Sequence, residues 1–213
     1  MAFIMSHFQH AGATHEFIKN DDFVMNYIYD YLVFIGRFQP FHLAHMQTIQ
    51  IALKESRYVI LALGSAQNER NIKNPFTADE REEMILSNFS AEHQKRIKFV
   101  PVIDVYDDVK WQTLVKSLVS DITQLTDHIG LIGHFKDDSS YYLKFFPEWE
   151  MVELDSLQGS MSATPMREAY YRGEIIEAAF PLGTRDFLQK FKETPLYLQL
   201  QHKFLTEDKS NLS

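Results

Sequence analysis

Residues 36–45 read Gly36-Arg-Phe-Gln-Pro-Phe-His42-Leu-Ala-His45, so two histidines stand three positions apart just after an apolar run, residues 31–35 (YLVFI). Positions i and i+3 share a helix face, and a helix opening here presents both imidazoles side by side. A helix N-terminus adds unsatisfied N–H groups and partial positive charge, which suits a phosphate. Arg37, at the strand tip, can bring a fixed charge to the same anion. The segment is neither GxGxxG nor a Walker A sequence, which withdraws support from dinucleotide-fold dehydrogenases and P-loop kinases. Two plainer readings stand beside the phosphate one: an ordinary helix cap, or a pair of metal ligands. A zinc site wants a third ligand, and no HExxH or carboxylate partner is evident nearby. Gly36, Pro40 and paired histidines at one strand–helix junction favour phosphate.

A second cluster lies far along the chain. Ser160-Met-Ser162-Ala-Thr164-Pro-Met-Arg167 reads as another helix start, with Thr164 as N-cap, Pro165 at the first helical position and Arg167 within the first turn. Hydroxyls, free N–H groups and a guanidinium there make a second anion cradle. Other candidates carry plain readings. Trp111, on a helix with apolar spacing, can be a core residue. Lys136 and Asp137, in a polar loop, suit solvent. Arg81 can pair with a neighbouring carboxylate such as Asp79, Glu82 or Glu83. His7, His10 and His15 resemble a metal cluster only superficially.

These clusters need a frame that gathers distant strand ends. Continuous apolar runs at 31–35, 58–63, 97–103, 129–132 and 150–154 predict strands buried on both faces, as in a parallel sheet. Helical patterns separate them: Met46, Ile49, Ile51, Ala52 and Leu53 share one side, and residues 109–122 repeat Val and Leu at three- and four-residue steps. Thr77-Ala-Asp-Glu80 is a capping box opening a helix through about Asn88. After Thr164 the chain reads as helical to its end, through 174–180 and then 184–204. The order β-α-β-α-β-α-β predicts an α/β open parallel sheet, with ligands outside the carboxyl ends of its strands.

Composition bounds the function. With 213 residues, 45% of them hydrophobic and 23% charged, wholesale disorder is excluded. Twenty-one basic residues against 29 acidic ones give a net charge of −8, which argues against a protein that coats nucleic acid. A pocket for a small anion needs only a few local positive charges. The absence of cysteine removes a disulfide framework, a thiolate nucleophile and Cys-ligated metal. No apolar run is long enough to predict a membrane span, and the first 30 residues lack the pattern of a secretion signal, so cytoplasm is the default.

The residues at the two helix starts resemble a known family. GRFQPFHLAH is similar to the H-x-G-H signature of nucleotidyltransferases, in the GRFQPFHxGH form of nicotinamide-nucleotide adenylyltransferases, and SMSATPMR looks like their S-x-T-x-x-R motif. Gly64-Ser-Ala-Gln67 through Lys73-Asn-Pro-Phe-Thr77-Ala-Asp-Glu-Arg81 resembles the SAQ…NPFTxxER segment of the microbial branch. Tyr106-Asp-Asp108-Val-Lys-Trp111 is similar to the Y-N-D-x-x-W stretch associated there with the nicotinamide mononucleotide ring and ribose. Ile132-Gly-His134-Phe-Lys136-Asp137 looks like the GHxKD loop of bacterial bifunctional members, where an adenylyltransferase precedes a Nudix hydrolase. The resemblance covers residues 31–191.

It implies a Rossmann-like open parallel sheet with helices on both faces and a helical C-terminal extension. The implied reaction joins ATP and nicotinamide mononucleotide into NAD and pyrophosphate, with Mg²⁺ bound mainly through the ATP phosphates and no protein metal site. By the same resemblance His42 and His45 donate to the ATP phosphates, with His45 nearest the α-phosphate, and Arg167, Ser162 and Thr164 hold the β- and γ-phosphates. Gly36, Phe38 and Gly133 complete the ATP side, Arg37 lies between the substrates, and Ser65, Lys73, Asp108 and Trp111 take the mononucleotide. His42, His45 and Arg167 are the implied catalytic set.

Two positions depart from the family pattern: Ala44 stands at the glycine of H-x-G-H, and Asp107 at the usual asparagine. The Nudix box is absent from this sequence, so no pyrophosphatase activity is expected of it. The expected plan is an N-terminal arm (1–28), a nucleotidyltransferase domain (29–192) and a C-terminal helical tail or linker (193–213). Self-association and a separate downstream Nudix domain stay open as partners. Competing functions are transfer to another phosphorylated acceptor, such as a phosphopantetheine, FMN or glycerol-phosphate type, and a non-catalytic nucleotide sensor.

Overall fold

A computed structural model describes residues 26–134, 138–154 and 162–210. The five apolar runs form five strands: β1 (Tyr29–Gly36), β2 (Ser56–Leu63), β3 (Ile97–Pro101), β4 (Ile129–Gly133) and β5 (Glu150–Glu153). All pair in parallel, in the order β3-β2-β1-β4-β5. The chain steps outward from β1 to β3 and then crosses to the other side of β1. This reversal, between β1 and β4, is where an open α/β sheet forms a crevice at its carboxyl edge.

Why the strands are apolar throughout follows from their alternation. Leu32, Phe34, Val59, Leu61 and Leu63 face one core, built with Ile49 and Leu53 of α1 (Leu43–Glu55), Met84 and Ile85 of α2 (Ala78–Leu86), and the C-terminal helices. Val33, Ile35, Ile60 and Ala62 face a second core against Val115 and Val119 of α4 (Asp108–Ser120) and against Leu143, Phe146 and Trp149. The central strands β1 and β2 therefore bury both their faces. The capping box forms as read: the Thr77 hydroxyl accepts from Glu80 N, and Glu80 Oε2 accepts from Thr77 N at 2.9 Å.

The C-terminal third differs from the sequence expectation. Residues 174–180 hold only a short 3-10 turn, Glu177–Ala179, between α5 (Ala163–Tyr171) and α6 (Leu182–Phe191). The run expected at 184–204 is broken, and α7 spans Pro195–Ser210. Proline has no N–H to continue α6, so it opens a new helix instead. The Thr194 hydroxyl accepts from Tyr197 N at 3.2 Å and caps it. Tyr197 and Leu200 enter the main core, and the Tyr197 hydroxyl donates to the Tyr170 carbonyl at 2.7 Å. Two elements had no signal: α3 (Ala91–Arg96), which buries no residue, and the 3-10 segment Asp138–Phe145. His7, His10 and His15 lie outside the described residues, as does most of the expected N-terminal arm.

Candidate active site

A cavity of about 710 Å³ opens at the carboxyl edge of the sheet, walled by the segments that follow β1, β2, β3 and β4 and by the start of α5. Its first wall begins where β1 ends. A side chain at Gly36 would put its Cβ 2.9 Å from the Phe38 ring, so only glycine leaves that ring its place. Phe38 has a left-handed backbone (φ 50°) and is buried, with its ring edge-on to His45 at 4.8 Å. His42 is the extended N-cap of α1, and His45 is the third helical residue. Their rings stack 3.6 Å apart. The His42 backbone N–H donates to His45 Nδ1 at 3.4 Å, which leaves the proton of a neutral His45 on Nε2, as a donor. Ala44 is buried in the same first turn and its methyl forms part of the wall.

The second cradle is built differently from its sequence reading. Ser162, not Thr164, is the N-cap of α5, accepting from Thr164 N at 3.4 Å. Pro165 sits at the third helical position, where its missing N–H would lack a helical partner anyway. Thr164 accepts from Arg167 Nη2 at 3.4 Å, and Arg167 Nη1 donates to the Gln39 carbonyl at 2.7 Å. The Gln39 side chain in turn pairs both ways with the Phe76 backbone, at 2.7 and 3.0 Å. Arg167 is buried, and burial followed by the nearby charge of Arg37 pushes its guanidinium below the usual range. Neither arginine has a carboxylate at ion-pairing distance among the described residues. Two guanidiniums placed close together in a cavity suit an anion.

The other end is aromatic and acidic. Trp111 is half-buried in α4, its ring edge-on to Tyr142 at 5.7 Å and Phe146 at 6.1 Å, so it serves both the core and the cavity wall. Tyr141 donates to Asp108 at 3.1 Å. Asp107 caps α4 by accepting from Lys110 N at 2.9 Å, a task asparagine performs equally well, which accounts for that departure. Burial raises the Tyr142 phenol while the charge of Arg37 lowers it, so Arg37 influences both ends. Among the described residues three non-glycine positions have left-handed backbones: Phe38, Ser65 (φ 53°) and Tyr106 (φ 51°). They follow β1, β2 and β3, and all three line the cavity. Strain gathered at one site is the mark of a functional surface.

The cavity thus gathers Gly36, Arg37, Phe38, His42, His45, Ser65, Asp108, Trp111, Gly133, Ser162, Thr164 and Arg167. Lys73 is not among them; it is exposed in the loop before α2. Arg81 pairs with none of its neighbouring carboxylates and instead donates to backbone carbonyls. Lys136, Asp137 and Ser160 lie outside the described residues. Three residues missed by sequence reasoning join the wall: Asp104, Tyr142 and His134, whose Nδ1 bonds the Leu154 carbonyl at 2.8 Å. For His134 the signal was the GH pair closing β4; the other two carried none. Among the described residues no group of three or more His, Asp or Glu could hold a metal ion.

Fold and cavity together define a nucleotidyltransferase, and the Cytidylyltransferase-like family model matches residues 33–134. The nicotinamide/nicotinic acid mononucleotide adenylyltransferase of Acinetobacter baylyi is 68% identical over 87% of this chain and 99% of its own length. The chain therefore belongs to the nicotinamide-nucleotide adenylyltransferase family. It also superposes, with a TM-score of 0.77 and 36% identity, on a bifunctional NMN adenylyltransferase/ADP ribose pyrophosphatase from Francisella tularensis. The match covers 86% of this chain but only 56% of that one. The Francisella protein has also been solved with AMP and a manganese ion.

Proposed function

We propose that this chain transfers the adenylyl group of ATP to nicotinamide mononucleotide, giving NAD and pyrophosphate. The observation that carries this reading is one cavity with two chemically different ends: imidazole, guanidinium and hydroxyl donors at one, an indole wall at the other. The phosphate of the mononucleotide is anionic at neutral pH, so it attacks the α-phosphorus without a general base. A new P–O bond forms to the α-phosphorus as the bond to the bridging oxygen breaks, and pyrophosphate leaves with that electron pair. No covalent enzyme intermediate is needed.

Catalysis is then positioning and charge stabilisation. His45 offers its Nε2–H to the α-phosphate, and His42, stacked on it, lines the same side. Arg167, Ser162 and Thr164 take the β- and γ-phosphates, where charge grows on the leaving group. Arg37, which acts on both ends, lies between the substrates, and Trp111 lies against the pyridine ring with Asp108 near the ribose or amide. Mg²⁺ would enter as a passenger on ATP: the phosphate end offers Arg37, Arg167 and the hydroxyls of Ser162 and Thr164 rather than a carboxylate cage, so the ion would be held mainly through the nucleotide. When bound it neutralises charge on the departing pyrophosphate. Cytoplasm, where ATP is plentiful, is the compartment this function expects; no helix among the described residues is long and apolar enough to cross a membrane.

The test is an assay for NAD formation from ATP and Mg²⁺, run with a panel of phosphorylated acceptors. NAD formation with the nicotinamide acceptor is expected. Faster transfer to a phosphopantetheine, FMN or glycerol-phosphate type of acceptor would reassign the substrate. Nucleotide binding without any turnover would make the chain a sensor.

A further inference from the structure

We propose that Arg81 is a positioning residue for adenylyl transfer: a single buried guanidinium nitrogen fixes the two left-handed turns, at neighbouring strand tips, from which two parts of the cavity wall hang. Arg81 lies in α2, whose start is held by the Thr77–Glu80 capping box, and it has no exposed surface. Its Nε donates to the Thr77 carbonyl at 3.2 Å, while Nη1 reaches out of the helix to the carbonyls of Arg37 and Gly64, each at 2.8 Å. Nη2 makes no hydrogen bond among the described residues. Burial lowers the guanidinium to about 10, which still leaves it charged at neutral pH. A buried charge normally takes a carboxylate partner. This one is balanced by backbone carbonyls instead, and the identity of those carbonyls is the point.

Each belongs to the peptide unit just before a strained residue. Arg37 precedes Phe38 and Gly64 precedes Ser65, the left-handed residues at the tips of β1 and β2. A non-glycine residue holds φ near +50° only where its surroundings enforce it. Nη1 supplies that enforcement to both turns from one atom. From the first turn hangs the Phe38 ring, which abuts His45; from the second hangs Ser65, in the cavity wall. Arg81 itself does not line the cavity. It acts through the residues it orients, and it couples the phosphate end to the neighbouring strand tip. The NPFTADER stretch thereby acquires a role as the keystone behind the site: Gln39 is tied to Phe76, and both strand tips are tied to Arg81.

This inference rests on the adenylyl-transfer function, and the experiment separates the two. Wild type, Arg81→Lys, Ser65→Gly and the double variant are compared for kcat, for KM of each substrate and for thermal stability. A lysine nitrogen stands one bond short of Nη1 and has no Nε–H to anchor it to the Thr77 carbonyl, so it cannot hold both strand-tip carbonyls in the same way. Arg81→Lys is expected to lower kcat at least tenfold while KM for ATP moves less than threefold, the pattern of misplaced rather than missing contacts. Adding Ser65→Gly is expected to recover at least threefold of that loss, because glycine takes a positive φ without a clamp. Folded Arg81→Lys with wild-type kcat would overturn the proposal, as would a kcat loss that the second substitution does not relieve. If Arg81→Lys does not fold, Arg81→Gln, which buries no charge, takes its place with the same two criteria. A wild-type protein that transfers to no acceptor would instead refute the proposed function itself.

Discussion

His45 shows how one side chain is made specific. Its Nδ1 accepts from the His42 backbone N–H, and its ring is enclosed by the His42 ring and by Phe38 and Phe41, so a neutral His45 carries its proton on Nε2. Such a preorganised donor is worth about 10²–10³ in turnover when it acts in the transition state. His45→Ala should therefore lower kcat about 100-fold or more in a steady-state NAD assay, and near-normal turnover would sink the assignment. Trp111 has a divided role, so its test must divide too. Trp111→Ala should raise KM for the mononucleotide and leave KM for ATP nearly unchanged, alongside some loss of stability from its contacts with Tyr142 and Phe146. Equal damage to both KM values would make the indole a core residue only. His42, His45 and Arg167 were legible in the sequence because short motifs set their local geometry. That Lys73 falls outside the cavity lining was not legible, because a loop's direction depends on long-range packing, and neither were the partners of Arg81, Arg37 and Gly64, which lie 44 and 17 positions away.

At the level of elements, strands were the clearest text. Burial on both faces makes β1 and β2 continuously apolar, a pattern that needs no tertiary knowledge to read. The Thr77–Glu80 box was equally plain, since both partners lie within one turn. Helix α3 and the 3-10 segment Asp138–Phe145 were invisible because neither carries a helical apolar repeat. At α5 two hydroxyl residues competed for one cap, and the proline preference pointed to the wrong one. Asp107 offers a direct test of capping at the acceptor end. Asp107→Asn should leave the urea midpoint nearly unchanged, whereas Asp107→Ala should cost about 1 kcal/mol. Full stability in Asp107→Ala would mean that α4 is not capped from this side chain, and the account of the Asn-to-Asp departure would fall with it.

For the molecule as a whole, the notable contrast is between a net charge of −8 and a cavity whose proposed phosphate end brings Arg37 and Arg167 together with no carboxylate in an ion pair with either among the described residues. The acidic surface and the basic pocket are compatible because surface charges beyond roughly 8 Å are screened at physiological salt, while the buried Arg167 is screened much less. The closeness of Arg37 and Arg167 is a repulsion that a bound polyphosphate would relieve. Since the ligand binds the folded chain and not the unfolded one, that relief must appear as stability. At 100 times its Kd a nucleotide contributes about 2.7 kcal/mol. For a domain of this size that converts to a rise in Tm of roughly 5–11 °C. ATP with Mg²⁺, or pyrophosphate alone, should give such a shift in a thermal denaturation scan. Arg167→Met should behave differently in both states. Replacing this buried cation by an apolar chain of similar length removes the repulsion from Arg37 but leaves the Gln39 carbonyl without its donor, so the ligand-free protein should lose no more than about 1–3 kcal/mol. The same change should cut the ATP-induced shift to less than about a third, because the group that made the anion welcome is gone. A variant that keeps the full shift would show that the phosphates bind elsewhere, and the orientation assigned to both substrates would have to be reversed.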